Sequence, residues 1–281
     1  MSSAVIDAHH HFWDPSRADY PWMTDELAAI RRPFGPVDLA PELAAAGVDG
    51  TVLVQSRSSV DETRELLAVA EQTSFVRGVV GWVDLTYAGV ADTITELRAR
   101  PGGQLLVGIR HQVHDEPDPA WLDRREVRRG IRAVGDLGLV YDLLVRPREL
   151  PAATRLVHDL PDVRFVVDHL AKPRILSGEL EPWASSIARL GPFPNVSCKV
   201  SGLVTEADWA SWRSADLQPY LDHALATFRP ERLLFGSDWP VCLLAGGYSR
   251  VVEATRTCLA RLSAVERDRV FGETAVAIYR L

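Results

Sequence analysis

The sequence predicts an α/β fold, a single (β/α)8 TIM barrel domain over residues 1–281 with a long loop after its first strand. Short runs dense in Val, Ile and Leu recur eight times, as in strands covered on both faces. Segments of helical period separate them, which implies βαβ units and a parallel sheet. No glycine fingerprint or P-loop follows the first run, so the alternative of an open doubly wound sheet is disfavoured.

The strand-like runs are Ala4–His11, Gly50–Gln55, Val76–Asp84, Leu105–His111, Leu139–Val145, Val163–His169, Asn195–Val200 and Arg232–Asp238. Residues 12–37, rich in aromatics and proline, break the alternation after the first. Such a long loop inside a compact domain is usually functional. There it would lie on the C-terminal face, where barrel active sites sit. Pro41 suits the first turn of a helix stopping at Gly47. Ser59 and Glu62 form a capping box before Leu66, Leu67 and Ala70, and Ser263 with Glu266 opens the last helical region. Thr205 and Asp208 make a weaker box before Trp209 and Trp212.

A formal net charge of −7 argues against nucleic acid, whose phosphates need a basic surface. A small anionic substrate is still compatible, because a local arginine cluster dominates its own pocket. No apolar run is long enough to span a bilayer, and the first residues lack the pattern of a signal peptide. Three cysteines without CxxC spacing indicate neither a disulfide framework nor a zinc knuckle, so a reduced, cytoplasmic setting is expected. A homo-oligomer is open, with Trp121 and Trp183 as candidates for an interface or for covering helix ends.

Alternate residues of a strand share a face. In the first run Val5, Asp7, His9 and His11 form one set, and Ala4, Ile6, Ala8 and His10 the other. The small apolar set suits the helix layer, so His9 and His11 should face the barrel interior. By the same rule Phe165, Val167 and His169 share the inner face of the sixth strand, and Leu234, Gly236 and Asp238 that of the eighth. Closure of the barrel brings Asp238 beside His9 and His11. A surface histidine run, a satisfied core His169 and an Asp238 that caps the next turn are the bland alternatives. Three inward histidines at one barrel face fit them poorly.

The motifs Asp-x-His-x-His, DHLAKP and GSDWP, with GVVGWVDL, GIRHQV, VYDLLVRP and SCKVSGLVTEADW, resemble the sugar-lactonase-like branch of the amidohydrolase-2 group. That resemblance runs from Ile6 to Cys242 with a similar tail. It implies a catalytic core of His9, His11, His169 and Asp238. It also implies substrate contacts by Arg110 or His111, Lys172, Lys199, Gln55 and Trp82. Lys172 and Lys199 fit a structural pairing with carboxylates equally well. Arg110 and His111 alternate, so both enter a pocket only if the strand ends or bulges there.

Two-metal members of the superfamily use a fourth-strand lysine or glutamate and a fifth-strand histidine. Here those strands offer Gly108-Ile109-Arg110-His111 and Leu139–Val145, with none of these. The resemblance therefore implies one divalent cation such as Zn²⁺ on His9, His11 and Asp238, with His169 a further option, or metal-free catalysis. No organic cofactor is implied. The expected reaction opens a sugar-derived lactone to its aldonic acid, with Asp238 as general base and the histidines, or a metal they hold, stabilising the oxyanion. A metal-dependent non-oxidative decarboxylase and a catalytically silent binding barrel are the alternatives.

Overall fold

In the computed structural model, which describes residues 3–281, eight parallel strands pair in chain order. They are β1 (Ile6–His10), β2 (Gly50–Val54), β3 (Val76–Gly81), β4 (Leu106–His111), β5 (Val140–Leu143), β6 (Arg164–Val167), β7 (Val196–Val200) and β8 (Leu233–Phe235). All eight fall inside the expected runs. Closure is made just beyond β8: the His11 amide donates to the Trp239 carbonyl at 2.7 Å, and the Asp238 amide to the His9 carbonyl at 2.8 Å.

Side-chain alternation sorts the strands into two cores. Ile6, Ala8, Val52, Val54, Val80, Val140, Val166 and Leu234 fill the barrel. Leu53, Val79, Ile109, Tyr141, Phe165, Val167, Cys198 and Phe235 face the helices. The outer layer consists of α1 (Pro36–Ala46), α2 (Val60–Glu71), α3 (Val90–Arg98), α4 (Arg125–Asp136), α5 (Leu150–Asp159), α6 (Trp183–Ala188), α7 (Ser214–Phe228) and α8 (Tyr248–Cys258). Among the described residues no helix is long and apolar enough to cross a membrane.

A terminal helical run follows, α9 (Ala264–Asp268), a π turn over Arg269–Glu273 and α10 (Thr274–Tyr279). It covers the end of the barrel where the strands begin. Ala275 and Tyr279 join the inner core, and Arg164, opening β6, donates to the Ile278 carbonyl at 2.7 Å.

Several local expectations are corrected. Helix α1 begins at Pro36, so Pro41 lies inside it, while Gly47 ends it at φ 67° as expected. Ser59 caps α2, but the Glu62 carboxylate turns to the backbone amides of Ser56 and Arg57, so only half the box forms. Thr205 and Asp208 open no helix; they cap turns, and α7 starts at Ser214. Ser263 and Glu266 form the full box. Trp121 and Trp183 are both buried within this chain.

Two strand phases are also corrected. In β1 the pairing with β2 shifts between Asp7 and His10. Ile6 and Ala8 therefore face inward, while Asp7 turns outward, where Ser237 Oγ and Tyr248 of α8 donate to it at 2.6 and 3.0 Å. The irregularity resets the alternation, so His9 and His11 still point into the barrel; His10 packs outside against Phe12 and Thr51. In β6 the bulky Phe165 and Val167 take the helix side, which leaves Val166 and Asp168 inside. His169 reaches the interior by another route: residues 169–172 all adopt positive φ, between 49° and 57°. That turns the chain across the barrel mouth.

Candidate active site

The barrel interior changes from apolar to charged toward the strands' C-terminal ends. His9 is the centre. Its ring lies 4.9 Å from that of His11 and 4.4 Å from that of His169, centroid to centroid. The two Nε2 atoms of His9 and His11 are 3.2 Å apart. Asp238 Oδ1 lies 3.8 Å from His9 Nε2, 3.5 Å from His11 Nε2 and 4.0 Å from His169 Nε2. Asp238 itself has φ 57°, a left-handed backbone that turns its carboxylate back over the barrel axis.

Gly236 is required here for space. A Cβ at that position would lie 2.8 Å from the Cβ of His9 and 3.0 Å from that of Ser201. Gly236→Ala is expected to displace His9 and lower kcat about tenfold, in line with the sensitivity of catalysis to small misplacements. Steady-state kinetics on the purified variant, with a thermal melt as folding control, check this.

Beneath the histidines lies a buried ionic network. Arg110 of β4 donates to Asp168 Oδ2 at 3.0 Å. Lys199 of β7 lies 3.0 Å from Asp168 Oδ1 and 2.5 Å from Asp142 Oδ2 of β5. Tyr279 donates its hydroxyl to Asp142 at 2.8 Å. All these charges are almost wholly buried, and a buried charge persists only when paired.

For His9, His169, Asp238, Asp168 and Asp142 burial is the largest influence, and the neighbours decide the outcome. Burial drives His9 well below the usual imidazole range, though Asp168 opposes it, and drives His169 to about 3. Burial thus disfavours the charged form of both imidazoles. Burial raises Asp238, but His169, the hydrogen bond with His11 and the His9 ring outweigh it and hold the carboxyl low. For Asp168 burial is likewise overcome, by Lys199, His9 and Arg110. Asp142 is raised by burial despite Lys199.

Above this floor opens a cavity of about 390 Å³. His11, Arg110, His169 and Asp238 reach it from below. Trp22 and Leu27, from the long loop, form an apolar wall with Leu144, Val241 and Leu244. Gln112, His114, Asp115, Arg146, Lys172 and Glu206 form the polar side.

The expected substrate contacts separate into three groups. Arg110 and Lys172 line the cavity, Lys172 paired with Glu206 at 2.7 Å. Gln55 and Lys199 lie buried beneath it; Gln55 Nε2 donates to the Arg110 carbonyl at 3.2 Å. His111 and Trp82 lie outside. His111 stacks on Trp121 at 4.3 Å and bonds Glu116 and Trp82. No bulge turns it inward, so Arg110 alone of that pair reaches the cavity.

Sequence reasoning missed Asp168, Asp142 and Tyr279. A signal existed for Asp142. Asp142 and Lys199 are opposite charges inside otherwise apolar strands, which calls for mutual pairing.

The donor set fits a single zinc ion. Tetrahedral zinc with bonds of ~2.0–2.1 Å spaces its ligand atoms about 3.4 Å apart. His9, His11 and Asp238 present theirs at 3.2, 3.5 and 3.8 Å. The His11 Nδ1–H donates to the Val54 carbonyl at 2.8 Å, which leaves Nε2 as the free donor nitrogen. A second grouping, His9 with Asp168 and His169, fits less well because Asp168 already serves Arg110 and Lys199.

Inward histidines and a carboxylate at the C-terminal mouth of a parallel barrel define a hydrolase of the metal-binding barrel type. The chain belongs to the amidohydrolase family, whose sequence pattern it matches over residues 6–281. It is 42% identical over 283 residues to the L-fucono-1,5-lactonase of Burkholderia ambifaria, covering 98% of this chain and 95% of that one. To the L-fucono-1,5-lactonase of Burkholderia multivorans it is 39% identical, covering 100% and 97%. A crystal structure of a Burkholderia multivorans amidohydrolase with bound zinc superposes with a TM-score of 0.93 at 38% identity, covering 99% of this chain and all of that one.

Proposed function

We propose that this protein hydrolyses a sugar-derived lactone, of the L-fucono- or L-rhamnono-lactone kind, to the aldonic acid. The observation that carries the reading is the convergence of His11, His169 and Asp238 on one cavity floor, with His9 buried against all three. It occurs in a chain about 40% identical along its whole length to two L-fucono-1,5-lactonases. Decarboxylation of an aromatic acid is the less supported reading.

Asp238 is the general base. Its low-lying carboxyl is ionised at neutral pH and faces the space above the histidines, where it can take a proton from water. The water oxygen bonds to the lactone carbonyl carbon, the bond from that carbon to the ring oxygen breaks, and Asp238 returns the proton to the ring oxygen. Neutral His169 and the Arg110 guanidinium lie where they can donate to the oxygen that gains charge. A divalent cation on His9, His11 and Asp238 would polarise the carbonyl and acidify water.

Lys172, Arg146 and Glu206 read the sugar hydroxyls and the carboxylate formed, while the Trp22, Leu27 and Leu244 wall packs the carbon skeleton. Lys199 and Gln55 hold the floor from beneath and do not touch substrate. The setting we propose is the cytoplasm, a reading supported by three free, buried cysteines.

A panel of sugar lactones differing at single ring carbons, assayed by acid release with and without chelator, tests this. Acceleration of at least one member supports the reading, and loss of that rate on chelation supports the cation. Opening of no member beyond its spontaneous rate overturns it.

A further inference from the structure

Glu62 is a buried carboxylate that the chemistry above does not use. It stands in the first turn of α2, behind the cavity and not part of its lining. A complete capping box would fold it back onto Ser59. Instead it takes up the turn that follows β2. The Ser56 amide donates to it at 3.1 Å, the Arg57 amide at 2.8 Å and the Ser56 hydroxyl at 2.6 Å. A buried carboxylate needs such donors, and hydrogen bonds to an ionised acceptor are the strong ones.

The two amides belong to successive peptide groups, whose carbonyls are those of Gln55 and Ser56. In a planar trans peptide the N–H and the C=O point in opposite directions. Turning both amides toward Glu62 therefore turns both carbonyls away from it, toward the cavity lining. There the Gln55 carbonyl accepts from Arg110 Nη2, and Gln55 Nε2 donates back to the Arg110 carbonyl at 3.2 Å. The Ser56 carbonyl accepts from Trp22 Nε1 at 3.0 Å and from Gln112 Nε2 at 3.3 Å. Arg110, Trp22 and Gln112 all line the cavity. One comes from β4, one from just beyond it and one from the long loop. An amide bonded to a carboxylate also makes its own carbonyl a better acceptor, because linked hydrogen bonds polarise one another.

We propose that Glu62 is a positioning residue: through two peptide groups it fixes the Arg110 guanidinium, the Trp22 indole and the Gln112 amide at the cavity wall. It does not touch substrate. One helix behind the barrel thus sets three side chains of the site that reach it from separate parts of the chain.

The kinetic part of the test rests on the lactonase reading; the spectroscopic part does not. Glu62→Gln keeps the size of the side chain but replaces one acceptor oxygen by a donor group, so one of its backbone or hydroxyl donors loses its partner. Nitrogen-15 spectra of the ligand-free protein report the Trp22 indole, identified by its loss in Trp22→Phe. In Glu62→Gln that signal should shift and its hydrogen exchange faster with solvent, while the other indole signals stay in place. The kcat/KM for lactone opening should fall ~10-fold, as expected when site groups are slightly misplaced. Trp22→Phe should lower it as well, and the double variant should lose less than the product of the two, because both act through the Ser56 carbonyl. Ser56→Ala removes only the hydroxyl contact with Glu62, so it should fold and move the indole signal the same way, less far. A merely structural Glu62 lowers the melting temperature and leaves the indole signal and the kinetics of the folded protein unchanged. An unmoved Trp22 signal in folded Glu62→Gln overturns the proposal, as it does in Ser56→Ala if Glu62→Gln does not fold. Wild type that opens no lactone would remove the lactonase reading, whereas the indole signal still decides the role of Glu62.

Discussion

Asp238→Asn is expected to lower kcat for lactone opening by about 10³-fold, within the range that general acid–base groups supply. The amide has nearly the shape of the carboxylate but cannot take a proton from water. It is also a weaker partner for the imidazoles that surround it at 3.5–4.0 Å. Asp238 forms no ion pair with lysine or arginine among the described residues, so its neutralisation strands no buried cation. The melting temperature should therefore change little while turnover collapses. Near-normal kcat in a folded variant would remove Asp238 from the role of base.

Lys199→Met should act in the opposite sense, on stability before chemistry. Lys199 is fully buried and is the cation shared by Asp142 and Asp168. Removing it leaves two carboxylates in the barrel interior with Arg110 as the one arginine or lysine beside them and only His9 and Tyr279 as further partners. Breaking a buried pair in this way destabilises by ~3–5 kcal/mol. The urea midpoint should fall accordingly. A substrate-contact role predicts instead a raised KM with stability preserved, so equilibrium unfolding and Michaelis kinetics on the same variant separate the two.

The barrel was legible because period-two and helical-period patterns alternate from Ile6 to the terminal helix, and every expected strand formed. The histidine pair was legible too, yet not for the reason strand phase offered. A register shift in β1 puts Asp7 outside and Ala8 inside and then restores His9 and His11 to the interior. His169 reaches the site through a left-handed turn, which no alternation rule foresees in non-glycine residues. Asp168 was missed for another cause, the inverted face assignment of β6. Had the bulk of Phe165 and Val167 been assigned to the helix layer, Val166 and Asp168 would have fallen inside.

Lys199 shows a different limit. Charge in an apolar strand signals a constrained site, but sequence does not say whether the charge meets a ligand or another side chain. Its buried pairing with Asp142 and Asp168 depends on three strands, and Asp142 depends in turn on a hydroxyl from the last helix. Such contacts exist only once the barrel has closed.

The central claim is tested most directly by titrating acid release from L-fucono-1,5-lactone at constant pH with the wild-type protein. The expected result is one equivalent of acid per lactone, formed far faster than by spontaneous opening and reduced to near the spontaneous rate by Asp238→Asn. Release at the spontaneous rate, together with carbon dioxide from an aromatic carboxylic acid, would contradict it.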